Sequence, residues 1–239
     1  ADKRKGSVLR HYLHLSTGNY NASTARLYTD VGYLTCDPDL TGDAQSLFRH
    51  LSSLVEMPRM KRLLVAPLHL HQAVLDGLAR VAKAARKGSP ARVVAKFNAL
   101  TDPALMQALI EASQAGASID LVVRGACMLA PGIDGLTDRI RVRSVVGRFL
   151  EHSRIFYMRW GERDEDEMLL LSSADWMSRN MTRRIELAWP IRDAAQRQRI
   201  LDECLVPYLH DERGSWLLGS DGQYHPMDAQ GLSAQQSLL

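Results

Sequence analysis

Cysteine is scarce in this chain: Cys36, Cys127 and Cys204 are three residues among 239, odd in number and far apart. That spacing excludes a disulfide framework and a cysteine-based zinc site, and it fits a reducing cytosol. No run approaches the roughly 18–20 apolar residues that cross a bilayer, which argues against an integral membrane protein. The start, Ala1-Asp2-Lys3-Arg4-Lys5-Gly6-Ser7, is basic but leads into no apolar h-region, so it does not read as a signal peptide. The chain also lacks H-E-x-x-H, a carboxylate triplet, a Walker A loop and a kinase Gly-rich loop. No metal ligands are therefore expected within it, and any nucleotide chemistry must use another design.

What is present is ordinary for a globular protein: 46% hydrophobic and 24% charged residues, enough for one large domain or two smaller ones. Net charge is only +3, but the balance is local. Arg139, Arg141, Arg143, Arg148 and Arg154 crowd one stretch, and Arg179, Arg183 and Arg184 another. Arginine matches phosphate oxygens in a fork; a solvated basic face is the plainer alternative. The acidic run 162–167 reads as a solvated hairpin loop.

Apolar runs rich in β-branched residues alternate with helical patterns. Strands are expected at 63–67, 92–97 and 119–124, with helices over 72–87 and from the N-cap Thr101-Asp102-Pro103 to about Ala115. That order predicts an α/β domain with parallel strands covered by helices. Four further strand-like runs follow at 139–146, 153–158, 168–171 and 185–190, the first alternating Ile140, Val142 and Ser144 against Arg141, Arg143 and Val145. A last helix is expected from Arg192 to Leu209, and from Asp211 a loosely ordered tail. The first 60 residues offer a strand (Val8–Leu15), a short strand near Tyr28–Leu34 and a helix (Asp43–Leu54), too little for a domain of their own.

A faint repeat stands out. Ser16-Thr17-Gly18-Asn19-Tyr20 follows one strand and Ser172-Ser173-Ala174-Asp175-Trp176 follows another, 156 residues later. Both read hydroxyl, hydroxyl, small, Asn or Asp, aromatic, which suggests two copies of one α/β unit. Small residues at strand ends leave backbone N–H groups open to an anion, and two such turns facing each other would cradle phosphate. A plain strand-to-helix turn is the alternative. His152 stands two residues from Arg154, on the same face if the strand is regular, which suits a proton donor or phosphate ligand beside a fixed charge. His69 and His71 look structural, and His210 and His225 carry no signal.

Several segments resemble those of the class 1 polyphosphate kinases, the histidine-phosphorylating family. They are His14–Asn21 with Thr24–Asp30, Val123-Arg124-Gly125, Glu151-His152-Ser153-Arg154, and Ser172–Met177 with Arg179-Asn180. Order and intervals agree as well, and the resemblance runs from about residue 8 to 210. It implies a phospholipase-D-like fold, a mixed sheet flanked by helices. Residues 1–61 would be the truncated end of a first, homologous catalytic domain, 62–210 a second one, and 211–239 the tail.

The resemblance further implies reversible transfer of the terminal phosphate of ATP to inorganic polyphosphate through a phosphohistidine, with Mg²⁺ that arrives with the nucleotide and the intact enzyme. Tyr28, Arg124 and His152 would contact the nucleotide phosphates, His152 also serving as acid or base, with Arg154, Ser172 and Ser173 as supporting phosphate contacts. ATP or ADP and polyphosphate are the expected partners, a homo-oligomer the expected assembly, and nucleic acid is not expected. The setting would be cytoplasmic, with peripheral membrane attachment left open. The family's phosphate-accepting histidine lies in a His-x-Lys strand, and no His-x-Lys occurs in this sequence. The chain is thus expected to be a fragment, inactive alone. A phospholipase-D-type phosphodiesterase or nuclease, or a non-catalytic polyanion-binding module, are the alternative readings.

Overall fold

A computed structural model describes residues 9–53, 56, 59–227, 230, 231 and 233–238. The basic start, the Val8 end of the expected first strand and the Leu54 end of the expected first helix lie outside the described residues.

The chain opens with β1 (Leu13–Ser16), β2 (Tyr28–Thr29), β3 (Gly32–Thr35) and α1 (Pro38–Ser53). β4 (Leu64–Ala66), α2 (Leu70–Arg86), β5 (Arg92–Phe97), α3 (Pro103–Gln114) and β6 (Ser118–Val123) follow. α3 begins where its cap predicts: Pro103 needs no N–H partner, and the Asp102 carboxylate accepts from Leu105 N at 3.0 Å. Then come β7 (Ile140–Val145), β8 (Leu150–Glu151), β9 (Arg154–Arg159), β10 (Glu167–Ser172), α4 (Ser178–Thr182) and β11 (Glu186–Pro190). The chain continues through α5 (Ala194–Cys204), α6 (Val206–His210), β12 (Ser215–Leu218), β13 (Tyr224–Pro226) and α7 (Ala234–Ser237).

Nine strands form one mixed sheet in the order β13-β12-β7-β6-β5-β9-β10-β11-β4. β5, β6 and β7 are parallel neighbours, while β9, β10 and β11 pair antiparallel and separate β4 from β5. The expected run of strands therefore lies partly apart: β4 takes the far edge, because the later hairpins insert beside β5. Alternation along β5 sends Val93, Ala95 and Phe97 to the face covered by α2 and α3. Val94 faces the other way, into a layer with Leu40, Ala44 and Leu47 of α1, Trp189 of β11 and Leu205. Residues 13–53 thus lie against the main sheet and share its core. Asp43, buried on α1, accepts the backbone N–H groups of Lys61, Arg62 and Leu63, which aims the chain into β4.

Two expectations are corrected here. The helix predicted from Arg192 to Leu209 is two, broken at Leu205, because Pro207 lacks an N–H and its ring clashes inside a continuous helix. Leu205 and Tyr208 are still buried, as their spacing implies, whereas Val206 is exposed. The predicted loose tail from Asp211 instead folds onto the sheet. β12 pairs with β7, and Ala234 of α7 buries against Val122, Val145 and Tyr208. The short apolar run Ser-Trp-Leu-Leu was enough to extend an open sheet edge despite the polar composition around it.

Two residues after Val94 on the same face stands a buried charge: Lys96, 2% exposed, donates to Glu151 Oε2 at 2.7 Å, with its ammonium 3.4 Å from the Tyr208 ring centre. Burial by itself would raise the Glu151 carboxyl, but Lys96, Gln235 and Thr29 together hold it below the usual carboxylate range. Lys96→Met strands that carboxylate in the core and should cost about 3–5 kcal/mol at pH 7 by urea unfolding. A carboxyl depressed in the folded state stabilises above its unfolded value and loses this as pH falls through its folded value. The stability gap between wild type and Glu151→Gln should accordingly narrow below about pH 4.3, read from chemical unfolding between pH 7 and 3.

Candidate active site

The ends of several strands converge on one rim of the sheet. β5 finishes at Phe97 and hands over to Asn98, β6 finishes beside Arg124, and β10 runs into the turn at Ser173–Asp175. β9 is antiparallel to β5, so its start, with His152 and Arg154, reaches the same rim. Parallel pairing of β2 with β8 sets Tyr28 beside Leu150 and Thr29 beside Glu151, which carries the first segment's residues to His152.

His152 is 8% exposed and contacted from three sides. The Tyr28 ring packs against the imidazole with centroids 4.8 Å apart. Thr29 Oγ1 accepts the His152 backbone N–H at 3.3 Å. Both Asp30 oxygens lie 3.0–3.1 Å from Nδ1. An ionised carboxylate only accepts, so Nδ1 carries the proton, and in the neutral ring Nε2 is left as acceptor. Asp30 is itself held by Thr17, whose hydroxyl donates to Oδ1 at 2.8 Å, and a Cβ at position 18 would collide with this carboxylate, which is why Gly18 suits the turn.

Arg154 sits under the histidine, also 8% exposed. Its guanidinium forks onto Asp175, with Nε to Oδ1 at 3.1 Å and Nη2 to Oδ2 at 3.0 Å. Nη1 donates to the carbonyls of Thr17 at 2.8 Å and His152 at 3.2 Å. The expected placement of Arg154 on the histidine's side holds, although the strand breaks between them. Its guanidinium is paired with Asp175, which makes it a strut of the rim. Arg124 differs. It is half-buried, its Nε donates to Asn98 Oδ1 at 3.0 Å, and among the described residues no carboxylate pairs with it. Asn98 in turn is held by Asp175, which accepts its backbone N–H at 2.7 Å. Tyr28, Arg124, His152 and Arg154 are thereby brought into one linked group.

The two repeated turns have the same wiring. Gly18 N donates to Ser16 Oγ as Ala174 N donates to Ser172 Oγ. Thr17 Oγ1 accepts from Val31 N and donates to Asp30, as Ser173 Oγ accepts from Leu187 N and donates to Glu186. Registers coincide too, Ser16 opposite Gly32 and Ser172 opposite Ala188, and Asp37 and Asp193 cap the helices that follow. The repeated wiring therefore runs from the strand ends at Ser16 and Ser172 to the helix caps at Asp37 and Asp193, further than five residues suggest. The hydroxyls of Ser172 and Ser173 point to protein acceptors in this wiring. A phosphate oxygen needs a donor, and each single O–H is already given, to Leu187 O and to Glu186. None of Asp30, Thr17, Asn98 and Asp175 was named as a site residue from sequence, although Thr17 and Asp175 stand in the repeated turn. The carboxylate at the same place in both repeats, Asp30 and Glu186, was the signal that could have found the first. Among the described residues no group of three His, Cys, Asp or Glu side chains is placed to hold a metal ion. No helix among them is long and apolar enough to cross a membrane.

Comparison with known proteins bears on what this rim belongs to. The family model described as polyphosphate kinase C-terminal domain 2 matches residues 63–237, and that of C-terminal domain 1 matches residues 2–57. The polyphosphate kinase of Xylella fastidiosa (strain Temecula1) is 46% identical over 241 residues, covering 99% of this chain and 34% of the relative. That of Pseudomonas aeruginosa (strain PAO1) is 48% identical over 229 residues, covering 96% and 33%. The crystal structure of polyphosphate kinase from Porphyromonas gingivalis matches with a TM-score of 0.89 at 36% identity, covering 98% of this chain and 36% of that one. The chain thus spans about a third of the length of the curated relatives it matches. With both family models in chain order and a fold shared along nearly its whole length, this chain belongs to the polyphosphate kinase family.

Proposed function

We propose that this chain carries one half of the phosphate-transfer site of a polyphosphate kinase, moving the terminal phosphate of ATP reversibly onto inorganic polyphosphate through a phosphohistidine. The observation that carries the reading is His152 with Nδ1 on Asp30, joined through Asn98 to Arg124, a guanidinium with no carboxylate partner among the described residues. Phosphoryl transfer needs positioning and charge neutralisation more than elaborate covalent chemistry. His152 Nε2 is left to take or give a proton at a phosphate oxygen, Arg124 supplies the fork, and Tyr28 holds the ring's orientation. The phospholipase-D-like description of the fold, residues 1–61 as the end of a first unit, Mg²⁺ carried in with ATP, and a homo-oligomeric assembly belong to the same reading. Phosphodiester hydrolysis is disfavoured, because the residue two past His152 is an arginine, which does not readily release a proton.

No His-x-Lys is present in this sequence, so the imidazole that accepts the phosphate must come from elsewhere in the intact enzyme. Incubated alone with ATP, Mg²⁺ and a polyphosphate primer, this chain should form no polymer. Growth at a rate near that of the intact enzyme would place the nucleophile within these residues. In the intact enzyme, His152→Asn should lower kcat by about 10²–10⁴-fold, the usual worth of a positioned acid or base. Arg124→Gln should lower kcat/KM for ATP roughly 10- to 100-fold, the value of one charge-assisted hydrogen bond or slightly more. Wild-type turnover in both variants would refute the assignment.

A further inference from the structure

The segment that leads into His152 is held from the C-terminal end of the chain. Gln235, on α7, is 7% exposed. Its Oε1 accepts the backbone N–H of Phe149 at 2.9 Å, and its Nε2 donates to the carbonyl of the same residue at 2.8 Å. Nε2 also donates to Glu151 Oε1 at 2.5 Å, so both amide protons are used. The contact is built into the backbone opposite: a Cβ at Gly147 would collide with the Gln235 carboxamide. α7 is itself fixed. Asp211 accepts Ala234 N–H and Gly214 N–H, both at 2.6 Å, and Ser233 and Gln236 close a capping box.

From Gln235 the connection runs inward. Glu151 accepts the Thr29 hydroxyl at 2.8 Å, and Thr29 Oγ1 accepts the His152 backbone N–H. The same Glu151 carboxylate is the partner of buried Lys96, so it has little freedom to turn. Without the carboxamide, both backbone groups of Phe149 and one Glu151 oxygen would lose their partner, three residues or fewer from the imidazole.

We propose that Gln235 is a positioning residue for His152: by pinning Phe149 and Glu151 it sets the β2–β8 pairing that presents the imidazole to Asp30 and Tyr28. The proposal rests on the reading that His152 takes part in phosphoryl transfer. A misplacement near 1 Å at a reacting group costs about 10²-fold, so a loosened segment should lose between about 10- and 100-fold.

The test uses the intact enzyme with Gln235→Leu, and with Gln235→Glu, which keeps the shape but cannot donate to Phe149 O. Both should lower kcat by that factor with KM for ATP within about twofold of wild type, and hydrogen exchange should rise at 146–152 in particular. Gly147→Ala pushes on the same contact, and combined with Gln235→Leu it should add little to the larger single loss. In a His152→Asn background Gln235→Leu should cost nothing more. Wild-type kcat in both Gln235 variants, or the same further loss in the His152→Asn background, overturns the proposal, as does failure of both variants to fold. Loss in His152→Asn with wild-type kcat in Gln235→Leu sinks this inference alone. Wild-type turnover in His152→Asn sinks the reading beneath it as well.

Discussion

Arg154 ties the rim together. Its guanidinium is almost wholly out of water, and a buried charge of that kind persists only when its donors are met. Asp175 takes the fork, while the carbonyls of Thr17 and His152 take the remaining bonds. Three segments distant in sequence are thereby joined: the first repeated turn, the entry to β9 and the second repeated turn. Asp175 also accepts Asn98 N–H, and Asn98 holds Arg124. Satisfying this buried cation thus fixes the His152 carbonyl and the turn that carries Thr17.

A second buried charge works in the same sense a few ångströms along the chain. Lys96 emerges on the outer face of β5, where its neighbours are apolar, and is met by Glu151, which adjoins His152. Glu151 is shared with Thr29 of the first segment and Gln235 of the last helix. Hydrogen bonds from Thr29 and Gln235 to this paired carboxylate thus hold an early and a late segment of the chain to its middle. The duplicated turns give the arrangement an internal symmetry, since Thr17 with Asp30 and Ser173 with Glu186 repeat one set of bonds. In the first copy the carboxylate meets an imidazole; in the second it is held by Asn180 at 2.6 Å and Ser173.

Much of the fold was legible where the signal is local. Strand β5 and the start of α3 fall where alternation and the Asp102-Pro103 cap put them. The helix break at Leu205 was available too, because Pro207 acts through its immediate neighbours. The tail was misjudged, since Gly, Ser, Asp and Gln describe its loops but not the four-residue strand that completes the sheet edge. Among site residues, His152, Arg124 and Tyr28 were named through motifs, while the bonds that Ser172 and Ser173 make within their turn were not legible. Their hydroxyls close the turn, which a list of residue types cannot reveal.

By itself the sequence determined the periodicities, the caps, the duplicated turn and the absence of His-x-Lys, all properties of residues a few positions apart. Only the tertiary structure decided that Asp30 orients His152, 122 residues away, that Arg154 is a strut while Arg124 keeps its fork, and that Gln235 reaches back to Phe149. The reason is physical. Which donor meets which acceptor across such separations depends on strand order and register, and these follow from burying the whole chain's apolar surface at once.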